Sequence, residues 1–293
     1  MTWQDVFISA PDGLRLHARD YRARTDERLP LICLPGLTRN AADFEDIGPA
    51  LSQGSEPRRV IAIDYRGRGL SDWDPDPSNY TMATESADIL AMLAALDIGR
   101  AIFLGTSRGG LHTMALGAAR PALIAGMMLN DIGPVLEMEG LLRIQGYVGK
   151  IAPPKSLEEG AAVMERLADG RFSAFTPADW LRLARQTFVE RDGELSAAYD
   201  PAVMLTLSGI HPDAPPPPLW PLFEGLPRVP LLAFRGENSD LLSAATLQAM
   251  KDRRPELETH ILIGQAHAPP LWEPEIILRI AGFCARCDRA GPQ

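Results

Sequence analysis

Five short apolar runs, at residues 29–34, 59–64, 101–104, 126–129 and 229–236, and a further strand-like run at 256–263 are interleaved with segments whose apolar residues recur at helical spacing. A strand that alternates apolar and polar residues keeps one face in water. A strand that is apolar throughout must be covered on both faces. Helices at residues 43–51, 82–97, 108–120 and 243–253 supply the cover, and a strand–helix–strand order makes successive strands parallel neighbours. The expected fold class is therefore α/β, a mostly parallel sheet with helices on both faces. Residues 3–9 and 15–21 read as two further strands. The turn Pro11-Asp12-Gly13 between them makes an antiparallel amino-terminal hairpin. In the helix at 82–97, Glu85 and Asp88 are expected on the exposed face.

From about Pro134 to Gly225 the pattern changes. Strand-like runs give way to helical ones at 140–148, 156–167 and 177–189. The segment closes on His211-Pro212-Asp213-Ala214 and four prolines, Pro215 to Pro218, a stiff stretch expected to return the chain to the core. The expected organisation is a core of residues 1–133 and 226–293 with a helical insertion, 134–225, after the sixth strand.

A chain of 293 residues is long enough for one large domain with a substantial core. Its 38 acidic against 29 basic residues give a net charge of −9, which argues against nucleic-acid or anionic membrane surfaces as partners. No apolar stretch reaches the length of a membrane span. The start, Met1-Thr2-Trp3-Gln4-Asp5-Val6, has neither the basic start nor the apolar core of a signal peptide. A cytoplasmic protein acting on a small molecule is expected; its oligomeric state is left open. Cys33 falls in a buried strand, and Cys284 and Cys287 form a lone Cys-x-x-Cys on a carboxy-terminal helix. Without further Cys or His partners nearby they read as packing residues, and no metal or cofactor is expected.

The chemistry centres on Gly105-Thr106-Ser107-Arg108-Gly109, where an apolar run turns sharply into a helix. Such a turn lifts a serine hydroxyl above the sheet edge. Glycine fits at 105 and 109 because a side chain there would meet the neighbouring strand or helix. Downstream, Asp240 follows the run at 229–236, and His267 follows the run at 256–263. Serine holds its proton tightly at neutral pH and needs a histidine to take it, while a carboxylate orients that histidine. Ser107, His267 and Asp240 are assigned as nucleophile, base and acid. Asp131, which ends the sixth strand, and Glu237 remain alternatives for the acid. His17 and His260 lie in strands, His112 on the helix behind Ser107, and His211 in the insertion, so His267 alone occupies a loop after a strand downstream of the acid.

The chain resembles the α/β-hydrolase superfamily in its capped ester- and C–C-bond-hydrolase branch. Cys33-Leu34-Pro35-Gly36-Leu37-Thr38 resembles the family's His-Gly oxyanion loop, with Pro35 where histidine is usual. Asp64-Tyr65-Arg66-Gly67-Arg68-Gly69-Leu70-Ser71 resembles its Asp-x-Arg-Gly-x-Gly-x-Ser loop. Ala266-His267-Ala268-Pro269 and Glu273-Pro274-Glu275 resemble its histidine loop and the helix start after it. The chain order Ser, Asp, His is also the family's. The resemblance implies that residues 134–225 form a cap, and that the backbone N–H groups of Leu37 and Arg108 form the oxyanion hole.

The leading expectation is a serine hydrolase of a small carboxylic ester, lactone or related acyl compound. The alternatives are C–C bond hydrolysis of ring-fission-type diketones and a non-catalytic ligand receptor on the same scaffold. Dehalogenase and epoxide hydrolase relatives carry aspartate where this chain has Ser107. Arg108 departs from the medium apolar residue common after the nucleophile. Its side chain is expected either to brace an acid such as Asp131 or Glu237, or to bind a substrate carboxylate as a fork. Trp73, Tyr147, Trp180, Phe188, Trp220 and Trp272 are candidate pocket walls or core.

Overall fold

The computed structural model describes residues 3–23 and 27–290. The amino-terminal half contains β1 (Gln4–Ser9), β2 (Arg15–Tyr21), β3 (Leu31–Leu34), α1 (Ile47–Ser52), β4 (Val60–Asp64), α2 (Met82–Ala95), β5 (Ala101–Thr106), α3 (Arg108–Ala119) and β6 (Ile124–Asn130). Then come α4 (Met138–Tyr147), α5 (Leu157–Ala168), α6 (Pro177–Thr187), β7 (Phe188–Arg191), β8 (Glu194–Ala197) and α7 (Trp220–Glu224). The chain closes with β9 (Leu231–Gly236), α8 (Ala244–Arg253), β10 (Glu258–Leu262) and α9 (Pro274–Arg289).

Eight strands make one sheet in the order β1-β2-β4-β3-β5-β6-β9-β10. β2 is antiparallel to β1 and β4, and the pairs from β4 through β10 are parallel. The apolar runs are explained by their two-sided burial. Ile32 and Leu34 of β3 enter one core cluster with Ile89 of α2, Met114 of α3 and Met250 of α8. Leu31 and Cys33 enter the other, with Ile47 of α1 and Ile280 and Phe283 of α9. Cys284 and Cys287 are buried there as free thiols. Burial pushes both up to about 12, so they pack as small apolar groups.

Three expectations are corrected. The helix at 43–51 is split into a 3-10 turn (Ala41–Phe44) and α1. Glu85 and Asp88 of α2 are buried, not exposed, because each meets guanidinium groups from the loop after β4. The insertion also contains strands: β7 and β8 form an antiparallel hairpin across Asp192-Gly193, both at positive φ. Asp-Gly suits the type I′ turn that such a hairpin favours, and it was the available signal. Four helices, this hairpin and a 3-10 stretch (Pro201–Leu207) thus lie between β6 and β9. Pro215 to Pro218 are exposed coil leading to α7.

Candidate active site

Parallel strands gather their following loops at one sheet edge, and the candidate residues meet there. Ser107 is the junction of β5 and α3, with φ 52 and ψ −113. A non-glycine residue in that region stores of order 1–3 kcal/mol of strain, held by the packing around it. That packing is tight. A Cβ on Gly105 would lie 2.3 Å from the Gly109 carbonyl oxygen, and one on Gly109 would lie 2.1 Å from that of Leu34. The elbow therefore needs glycine on both sides because helix and strand backbones touch across it.

Ser107 Oγ lies 2.8 Å from His267 Nε2. His267 Nδ1 lies 2.8 Å from Asp131 Oδ2. Asp131 is fully buried at the end of β6, and its carboxylate is held by further donors. Oδ1 accepts from the Gly236 N–H at 2.8 Å, and Oδ2 accepts from the Ser239 hydroxyl at 2.6 Å. An ionised carboxylate accepts only, so Nδ1 carries the proton and Nε2 is left to accept from Ser107. Asn130, beside Asp131, donates to the Pro269 carbonyl at 2.8 Å and ties the histidine loop to the sheet. Glu237 accepts from the Gly264 N–H at 2.8 Å and braces the start of that loop.

Asp240 does not reach His267 in this arrangement. After β9 the chain turns back, with the Ser239 N–H bonded to the Gly236 carbonyl. The turn brings Ser239 to Asp131 and aims Asp240, one residue later, at α4. There Arg143 grips it with Nε and Nη2, the latter at 2.9 Å from Oδ1, and Arg171 Nε stands 3.8 Å away. Burial works against ionisation of Asp240, but the Arg143 guanidinium first, and then His267 and Arg171, more than offset it and hold the carboxyl below its ordinary value.

Arg108 pairs with neither Asp131 nor Glu237. Its Nε donates to Glu85 Oε2 at 2.6 Å, beneath the elbow. Its backbone N–H is at the first position of α3, where no intrahelical acceptor exists. Leu37 lies in the loop after β3, and both Leu37 and Ser107 border one cavity of about 150 Å³. The roof of that cavity comes from the insertion: Tyr147, Met164, Phe172 and Trp180, with Arg143 on α4. A space of this order accepts a benzene-sized group.

The other aromatic candidates lie elsewhere. Phe188 is buried in a small cluster within the insertion. Trp272 packs on Phe175 and the Arg182 guanidinium. Trp73 stacks under Arg191, and Trp220 under Arg253. His112 is buried against Glu85, His17 bonds Asp64 and Asp5, and His211 is exposed. Ser239, Asn130 and the buried role of Glu85 were not read from sequence. Only the position of Asp131, directly after a buried strand, carried a usable signal. Among the described residues no helix is long and apolar enough to cross a membrane.

A model of the alpha/beta hydrolase family matches residues 31–280. The chain is 30% identical to the 3-hydroxybutyrate-oligomer hydrolase of Cupriavidus necator, over 92% of this chain and 93% of that protein. It is 32% identical to the 2-(acetamidomethylene)succinate hydrolase of Mesorhizobium japonicum, over 83% of each. A crystal structure of an alpha/beta hydrolase from Novosphingobium aromaticivorans superposes with a TM-score of 0.90 at 40% identity, covering 97% of this chain and 99% of the other. The chain belongs to the alpha/beta hydrolase family and is a hydrolase.

Proposed function

We propose that this hydrolase cleaves a small carboxylic ester or related acyl compound through an acyl-enzyme on Ser107. The carrying observation is the unbroken relay from Ser107 Oγ through His267 to Asp131, each contact at 2.8 Å, at the border of a small roofed cavity. As Ser107 Oγ attacks the acyl carbon, its proton passes to His267 Nε2. Asp131, not Asp240, is the acid of this reading, and it stabilises the imidazolium through Nδ1–H. The carbonyl oxygen becomes an oxyanion that accepts from the backbone N–H groups of Leu37 and Arg108. The bond to the alcohol then breaks, and the proton on Nε2 goes to the leaving oxygen. Water attacks the acyl-enzyme by the same route in reverse.

Residues 134–225 act as the cap, and their side chains over Ser107 set the size of acyl group accepted. Two curated relatives are named for small organic acids, a 3-hydroxybutyrate oligomer and an acetamidomethylene succinate. A single hydroxybutyryl unit, with six non-hydrogen atoms, is of the size the cavity accepts. The second name favours a second reading, hydrolysis of an acetamido acid by the same relay.

The test joins labelling to turnover. A fluorophosphonate should modify Ser107 and no other residue, and p-nitrophenyl esters of two to six carbons should be hydrolysed. Ser107→Ala should abolish both with an unchanged fold. Folded protein that is neither labelled nor active on esters, 3-hydroxybutyrate oligomers or acetamido acids would sink the proposal.

A further inference from the structure

Beneath the elbow lies a closed cluster of charged side chains that does not border the cavity. Arg68, Glu85 and His112 are fully buried, and the Arg108 side chain is 11% exposed. Glu85 Oε1 accepts from Arg68 Nη1 at 2.7 Å. Glu85 Oε2 accepts from Arg108 Nε at 2.6 Å and faces His112 Nε2 at 3.0 Å. Arg68 continues the chain on its other side, donating from Nε to the Leu37 carbonyl at 2.9 Å.

Burying ions costs several kcal/mol each even after relaxation, so a cluster of this kind is weak evidence for stability alone. Its connectivity is more informative. The two oxyanion donors come from separate pieces of chain, the loop after β3 and the first turn of α3. They must be spaced to a fraction of an ångström around one oxygen. Glu85 is linked to both pieces: one carboxylate oxygen holds Arg68, which bonds the Leu37 carbonyl, and the other holds the side chain of Arg108.

The charges point the same way. Burial keeps the His112 imidazole below its ordinary value, only partly opposed by Glu85, and Ser86 Oγ meets its Nδ1 at 2.9 Å. Two guanidinium groups then face one carboxylate, an excess of one positive charge behind the oxyanion. Nη2 of Arg68 and of Arg108 are both buried with no acceptor among the described residues.

We propose that Glu85 is a positioning residue for the hydrolysis, fixing the spacing of the Leu37 and Arg108 N–H donors through Arg68 and the Arg108 side chain. This rests on the serine-hydrolase reading above. The effect falls on the transition state, where the oxyanion forms, and little on substrate binding.

The experiment uses the full chain and Glu85→Gln. Glutamine keeps the shape but turns an NH2 group towards one arginine, which loses its acceptor. Active sites are titrated with a fluorophosphonate so that only folded, reactive enzyme is counted. For p-nitrophenyl butyrate, kcat per titrated site should fall about 10- to 100-fold, in the range of losing or misplacing one oxyanion donor. KM should stay within twofold. The affinity for 1-butaneboronic acid, whose tetrahedral adduct on Ser107 sets an oxygen in the same hole, should fall by a similar factor. Arg68→Lys is the second variant: it keeps the charge, gives up the fork, and should show the same split more weakly.

If either variant turns over within twofold of wild type per site, the proposal is overturned. It is equally overturned if boronate affinity holds while only thermal stability drops, since Glu85 would then merely join α2 to α3. Wild-type protein that neither labels nor hydrolyses esters, 3-hydroxybutyrate oligomers or acetamido acids refutes the serine-nucleophile reading itself, and this inference with it.

Discussion

At the scale of single residues, the contact to His267 separates two carboxylates that look alike in sequence. Asp131 accepts from Gly236, Ser239 and His267, whereas Asp240 is taken by Arg143. Asp131→Asn should lower kcat by about 10⁴, as expected when an amide in place of the carboxylate favours the wrong imidazole tautomer. Asp240→Asn should cost less than tenfold in kcat but about 1–3 kcal/mol of stability, because Arg143 loses a charged partner. Steady-state kinetics and denaturant titration of both variants check this, and the reverse ranking would return Asp240 to the triad. Ser107, His267 and the two glycines of the elbow were legible because strand, turn and helix signals coincide there. The acid was not, because Asp131 and Asp240 each follow a buried strand, and only the turn after β9, which brings Ser239 to Asp131 and Asp240 to Arg143, separates them.

At the scale of elements, the elbow and the segment proposed as the cap make different demands. α3 crosses β3 so closely that Gly109→Ala should cost upwards of about 1–3 kcal/mol through overpacking against Leu34. Gly99→Ala, with nothing within 4 Å of its Cβ, should stay within about 0.5 kcal/mol of wild type. Equal midpoints in urea for the two would contradict the contact. In the segment between β6 and β9, Met164 of α5 borders the cavity beside Ser107. Met164→Trp should therefore cut kcat/KM for hexanoyl esters at least tenfold while sparing acetyl esters. A uniform change across chain lengths would show that the cap does not set acyl size. The helices of this segment were readable from their apolar spacing. The β7–β8 hairpin was overlooked because its strands are only four residues long, too short for alternation to show.

Across the whole molecule, buried charge links stability to pH. His112 has its folded value lowered by burial, while an unfolded imidazole takes up a proton near pH 6.5. Below that pH the unfolded chain binds more protons than the folded one, so stability is full above about pH 6.5 and falls as pH drops towards the folded value. His112→Gln removes this titration and can still donate to Glu85. Its Tm should fall less steeply than wild type between pH 6.5 and 5, and parallel curves would exclude the linkage. The same cluster marks the division between sequence and fold. Residue order alone determined the parallel sheet, its two-sided cover, the helical run after the sixth strand and the serine and histidine after strands. These follow from periodicity and turn chemistry over short stretches of chain. Tertiary structure decided which acid backs His267, that Glu85 is buried, and that Arg108 faces inward. Each depends on side chains from distant segments: Asp131 and Asp240 compete for His267, whereas Arg68 and Arg108 share the two oxygens of Glu85. Local propensity carries no information about the outcome of that competition.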